Sequence, residues 1–287
     1  MGAIYKRELR SYITGVTGPI FIAFLLLMIG IYTSALNLAG HYPSFENVLS
    51  STVFIFMIIT PILTMRSFSE DKRSKTDQLL YSLPLSMPQI VMAKYFALVT
   101  VLAAPCALVC LYPIILTFYG NVNLGAAYGA ILGFFCLGCT LLAIGMFLSS
   151  LTESQVIAAV LSLGLFILMF LMTGISGLLP VTAGASLAAY IAVAVAVALI
   201  LYNMTKNWQI SAIVGGIIAL VAVALYLADA SLFEGSIQKV LSWLAVFDRF
   251  NNFSNGIFDV TGIVYYLSVS ALFVFFTVQS MEKKRWA

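Results

Sequence analysis

Apolar positions in this chain come in long unbroken runs, at residues 16–36, 48–64, 95–118, 124–147, 155–179, 181–202, 210–227 and 262–278. Each run approaches the ~20 residues a helix needs to cross roughly 30 Å of hydrocarbon. A backbone in lipid must satisfy its own amides, so the runs read as helices, and no period-2 alternation suggests a barrel. The pattern predicts an all-α polytopic membrane protein of about eight transmembrane helices. Residues 181–202 are separated from the span before them only by a tight turn around Pro180, so six spans plus one re-entrant pair is the alternative.

Polar positions are concentrated in a few places. At residues 1–14 Ile4, Leu9, Tyr12 and Ile13 fall broadly on one side of a helix, with Lys6, Arg7 and Arg10 toward the other. That is the pattern of a helix lying in the membrane interface. The second polar stretch, "MRSFSEDKRSKTDQLLYSLPLS" at residues 65–86, holds seven of the chain's 25 Asp, Glu, Lys and Arg residues. There Leu79, Leu80 and Leu83 are mixed with charge, and Pro84 ends whatever helix forms. Ser86, Pro88 and Gln89 then restart one as a capping box. A short, separately bounded helix is expected between two spans, its leucines suited to docking and its charges to choosing a partner.

Further signals locate turns and close packing. Thr152 and Gln155 are spaced as a capping box, with Glu153 in the first turn, which predicts a tight hairpin between the fourth and fifth spans. Gly125, Gly129 and Gly133 recur every four residues, a small-residue stripe that lets helices approach inside one subunit or between subunits. Pro61, Pro105 and Pro113 interrupt the second and third spans. Residues 230–259 hold an amphipathic segment in which Phe233, Ile237, Val240, Leu241, Leu244 and Phe247 follow a helical period.

Composition changes the picture in two ways. With 62% hydrophobic and 9% charged residues and a mean hydropathy of +1.06, the net charge of +3 reports topology rather than affinity for nucleic acid. Placing both termini in the cytoplasm puts twelve of the 14 Lys and Arg residues inside, leaving only Lys239 and Arg249 outside. The first apolar run has no small-residue cleavage site and is expected to stay as an anchor.

Chemistry is notable for what is missing. No phosphate-cradling Gly-rich loop with Lys occurs, so no ATPase activity is expected of the chain itself. The spans as drawn hold no Lys and no acidic residue near the midplane, which disfavours an ion-coupled carrier. A single histidine, His41, leaves no set for nucleophilic or metal catalysis. Cys106, Cys110, Cys136 and Cys139 lie inside spans and read as small packing residues. The expectation is a non-catalytic chain without metal or cofactor.

Three blocks together resemble the ABC-2 type transporter permease family, most closely its gliding-motility and nitrous-oxide-reductase maturation branch. "YKRELRSYITGVTGPI" is similar to the family's N-terminal elbow helix, here Lys6, Arg7, Glu8 and Arg10. "PILTMRSFSEDKRSKTDQLLYSLPLSMPQIVMAKY" resembles its first cytoplasmic loop, and "AIGMFLSSLTESQVIAAV" its hairpin between the fourth and fifth spans. The C-terminal "FDRFNNFSNGIFDVTGIVYYLSVSALFVFF" is also similar to that branch. The departure is at residues 181–227, an extra helical hairpin beyond a six-span core.

The resemblance implies a single transmembrane domain over residues 1–287: an elbow at 1–14, a coupling loop at 66–94, the hairpin at 181–227 and an external segment at 230–259. It implies a permease subunit that couples ATP hydrolysis by a separate ABC ATPase, which would hold ATP and Mg, to export or flipping of a substrate. Glu70, Asp71, Arg73, Thr76, Asp77, Leu79, Leu80, Leu83 and Pro84 would form the ATPase-coupling segment. A second permease copy or a sister permease and membrane lipid are the other implied partners, in a bacterial cytoplasmic membrane. The alternatives are a non-transporting scaffold or maturation factor docking the same ATPase, and a secondary carrier.

Overall fold

The computed structural model describes residues 1–76, 86–205, 216–217, 220–221, 223, 226 and 233–286, and among them every regular element is a helix. Six helical stretches in these residues are long and apolar enough to span a membrane: Thr17–Ala39, Glu46–Arg73, Met87–Leu116, Leu124–Leu151, Gln155–Leu178 and Val260–Lys283. They correspond to six of the eight predicted spans. The predicted span at 181–202 is a helix, Ala183–Thr205. Most of 210–227 lies outside the described residues.

The chain forms two compact units, Met1–Leu168 with Arg249–Ala287, and Met169–Asp248. The first unit opens with α1 (Gly2–Thr14) and α2 (Thr17–Tyr32), which runs into a π-helical stretch at Thr33–Ala39. It continues with α3 (Glu46–Thr64), α4 (Arg66–Arg73), α5 (Met87–Val109), α6 (Leu111–Leu116) and α7 (Leu124–Leu151). The unit also takes in the start of α8 (Gln155–Leu178), and closes with α11 (Phe250–Ser254) and α12 (Val260–Trp286).

At the centre stands α7, the most buried span, packed by α3, α4, α5, α11 and α12. It carries no charge over 28 residues, and its small residues set how closely neighbours approach. A side chain at Gly138 would come within 2.8 Å of the Phe56 ring, and one at Gly133 within 2.6 Å of the Phe253 ring. Of the predicted stripe, Gly133 makes the tight contact, whereas a Cβ at Gly129 or Gly125 meets nothing nearer than 3.6 and 3.5 Å. Polar groups bridge α7 to α12: Thr140 Oγ1 donates to the Tyr266 carbonyl at 3.1 Å and receives the Ser270 hydroxyl at 3.2 Å. Such bonds lend direction to a contact between helices that hydrophobicity alone does not favour in lipid.

The prolines differ in effect. Pro113 explains a break, because its ring opposes the carbonyl four residues earlier, at Val109, where α5 ends. The Tyr128 hydroxyl donates to the neighbouring Cys110 carbonyl at 3.1 Å. Pro61 and Pro105 lie inside continuous α3 and α5.

Helix boundaries depart from expectation at two points. Ser86 and Gln89 form the predicted capping box, so α5 begins at Met87 and Lys94 lies two turns inside it. Contrary to expectation, this span therefore contains a Lys. The expected Thr152–Gln155 box does not form: Thr152 ends α7, and Ser154 caps α8 by accepting the Ile157 amide at 3.4 Å. The hairpin is as tight as predicted, but its cap is two residues later.

In the second unit, after the rest of α8 and α9 (Ala183–Thr205), α10 (Ser236–Leu244) begins after Gly235, whose φ of 67° lies in the left-handed region that glycine adopts without strain. Gln238 donates to the Leu179 and Pro180 carbonyls at 3.0 Å, fastening α10 to that turn. Of the apolar positions in that segment, Phe233, Ile237 and Phe247 are buried, and Val240 and Leu244 are exposed, beside Trp243.

Candidate functional site

The polar residues of α1, α4 and α5 meet at one end of the first unit. Lys94, 2% exposed, places its ammonium 2.7 Å from Asp71 Oδ2 and 3.1 Å from Glu8 Oε1, and donates to the Ser67 carbonyl at 2.7 Å. Three acceptors thus match its three N–H donors, and the Phe68 ring lies 5.2 Å from the nitrogen. Arg7 donates to the same Glu8 oxygen at 2.8 Å. Lys94 and the two carboxylates thus meet in a site from which water is largely removed, with Arg7, 54% exposed, adding positive charge from the rim.

A second pair stands beside it. Arg66 makes a two-pronged contact with Glu70, Nε to Oε2 at 2.8 Å and Nη2 to Oε1 at 2.9 Å, and donates from Nη1 to Thr17 Oγ1 at 2.6 Å. This joins the start of α2 to α4. A cleft of about 230 Å³ lies between the elbow and α4, with Tyr12, Arg66, Asp71 and Lys94 in its walls.

The end of α7 holds α4 from the other side. The Ser149 hydroxyl accepts the Phe68 and Ser69 amides, both at 3.1 Å, and donates to the Met65 carbonyl at 3.0 Å. These N–H groups belong to the first turn of α4, so Ser149 acts as a cap supplied by a distant helix. Lys72 donates to the Ser150 carbonyl at the C-terminus of α7, the end of the helix dipole that favours a cation. Ser149→Ala is expected to cost about 1–3 kcal/mol by removing a buried hydroxyl that bonds the Phe68 and Ser69 amides and the Met65 carbonyl. A fall in thermal midpoint with faster amide exchange at Phe68 and Ser69 checks it.

The predicted site residues are thus distributed unevenly. Asp71 is turned inward onto Lys94, Glu70 pairs with Arg66 on its own helix while its side chain stays 43% exposed, Thr76 closes the end of α4 with its hydroxyl on Asp71 at 3.2 Å, and Arg73 is exposed. Asp77, Leu79, Leu80, Leu83 and Pro84 lie outside the described residues. On the elbow, Ile4, Glu8 and Tyr12 form the inward stripe while Lys6, Arg7, Arg10 and Ile13 are exposed. Tyr5 hydroxyl and Thr100 Oγ1, 2.9 Å apart, add a further tie from α1 to α5. Glu153 is exposed in the α7–α8 turn.

Lys94, Thr17 and Ser149 were missed as site residues by sequence reasoning. The signal for Lys94 was its position eight residues after a capping box, inside a helix already begun.

The geometry defines a class: an all-α, multi-pass membrane protein with a cluster of charged residues bolting one end of the bundle. The model of the ABC-2 family transporter proteins matches residues 5–214, well over half the chain, and the chain belongs to that family. It is therefore a permease component of an ABC transporter. The matched residues take in the elbow, the polar loop and the α7–α8 hairpin. No curated protein matches the chain.

Proposed function

We propose that this permease couples ATP hydrolysis on a separate ABC ATPase to export or flipping of a substrate in a bacterial cytoplasmic membrane, and that the loop after α4 is where the ATPase grips it. The observation that carries the reading is the bolt itself. Lys94, Asp71, Glu8 and Ser149 join α4 to the elbow, to α5 and to α7, while Arg66 adds α2. A force on the segment following Thr76 would pass into four helices at once rather than bend a free loop. Rigid-body re-orientation of spans between inward and outward access needs such a connection.

On this reading the chain is not itself an enzyme; ATP and Mg are held by the partner, and two permease copies or a sister pair make up the membrane part. Leu79→Asp with Leu80→Asp is expected to abolish co-purification with the ATPase while leaving the thermal midpoint of the permease alone unchanged. Undiminished co-purification overturns the docking assignment. A scaffold that only docks the ATPase would show nucleotide-dependent assembly in reconstituted vesicles without movement of cargo.

A further inference from the structure

At the end of the bundle opposite α4, a cleft of about 450 Å³ opens between the start of α3, the loop before α7 and the end of α11. Glu46, the first residue of α3, lines this cleft and is only 5% exposed. Among the described residues its carboxylate has neither an ion-pair nor a hydrogen-bond partner. The rest of the wall is neutral and rich in hydrogen-bonding groups, with the carboxamides of Asn47, Asn121 and Asn255 and the hydroxyls of Ser44 and Ser254. Asn123, also in the wall, is already engaged, since it accepts the Ala126 amide as the cap of α7. Neither a cationic side chain nor an aromatic ring lines the cleft.

A carboxylate that keeps only slight contact with water in a cleft, with no cation or donor beside it, is poorly compensated, and the helix end behind Glu46 offsets only part of that cost. A cation arriving from outside would remove the rest. One carboxylate among carboxamides is poor in charge for a calcium or magnesium ion, which gathers six or more oxygens, usually from several carboxylates. The volume matches pockets that hold small organic molecules. Carboxamide and hydroxyl oxygens accept N–H and O–H groups, whereas a quaternary ammonium, having no N–H, is recognised by aromatic cages that this wall lacks.

We propose that the cleft binds a primary ammonium group carrying a neighbouring hydroxyl or ester oxygen, with Glu46 as its counter-ion and the asparagines holding its polar arm. Two sources offer that chemistry, the headgroup of an ethanolamine lipid and a free amine.

The test uses the full chain in phosphatidylcholine nanodiscs, with thermal midpoint read against added ethanolamine, choline or calcium. Ethanolamine is expected to raise the midpoint in a saturable way and choline to leave it unmoved. Glu46→Gln should raise the half-saturating concentration at least tenfold, about what loss of one charge-assisted hydrogen bond gives. Nanodiscs containing phosphatidylethanolamine separate the sources: stabilisation of the wild type by the lipid, absent in Glu46→Gln, points to the headgroup, while a response to free ethanolamine alone points to a soluble amine. Equal responses to choline and ethanolamine overturn the proposal. So does a calcium response that depends on Glu46 without one to ethanolamine, and so does no response at all. Should Glu46→Gln fail to fold, the contrast between ethanolamine and choline in the wild type decides the matter.

Discussion

Lys94→Met is expected to be among the most destabilising single substitutions in the first unit, at about 3–5 kcal/mol, because it removes the one cation that Asp71 and Glu8 share and leaves their carboxylates in a site with little water. Lys94 is 2% exposed, and Glu8 and Asp71 side chains only 12% and 18%, so solvent screening offers small relief. The loss should appear as a lower thermal midpoint in mild detergent and, on the function proposed above, as weaker stimulation of a separate ABC ATPase. The distinguishing measurement is rescue. Adding Glu8→Gln and Asp71→Asn to Lys94→Met takes away the orphaned charges and should recover much of the midpoint, since a neutral buried set costs less than an unbalanced one. If Lys94→Met alone leaves the midpoint unmoved, the bolt has no structural weight. If the triple variant restores stability but not coupling, the ion cluster transmits force as well as holding the fold.

The second large effect is expected at Gly145. A Cβ there would press into Thr64, within 2.8 Å of its Cβ and 2.9 Å of its Cγ2, at the point where α3 ends and α4 begins. Thr64 is fully buried and its β-branched side chain has little freedom to turn away. Gly145→Val should therefore cost about 1–3 kcal/mol by overpacking, with the upper figure favoured by the rigid neighbour. The same change should displace α4 from Ser149, so amide exchange at Phe68 and Ser69 should rise with it. Thr64→Gly in the Gly145→Val background opens the space, and a double-mutant cycle should show favourable coupling between the two positions. Additive losses would place the strain elsewhere.

Much of the site was legible only in fragments. Glu8, Arg7, Glu70, Asp71 and Thr76 were all marked as polar residues of an elbow and a loop, yet the charges of the loop were read as facing a partner. The structure turns Glu70 and Asp71 onto Arg66 and Lys94 instead. The misreading has a physical origin, since a Lys beside an apolar run is ordinarily placed at the water boundary, where its charge costs nothing. A buried ammonium with three acceptors satisfies the same free-energy demand, but only when those acceptors arrive from elsewhere in the chain. The shift of the α8 cap from Thr152 to Ser154 is a smaller instance: both residues are competent caps, and where α7 stops decides which one serves.

Hydropathy is a property of each residue and its near neighbours, and so the chain alone determines that it lies in a membrane, that its spans are helices, and that α5 starts at the Ser86 box. Partnership between charges is a property of position in space. Glu8 reaches Lys94, and Ser149 caps a helix 81 residues before it, because α7 brings the ends of α3, α4 and α5 to one level. Only the folded bundle could decide that the polar residues after the second span hold the protein together, since no local pattern records which distant carboxylate an ammonium will meet.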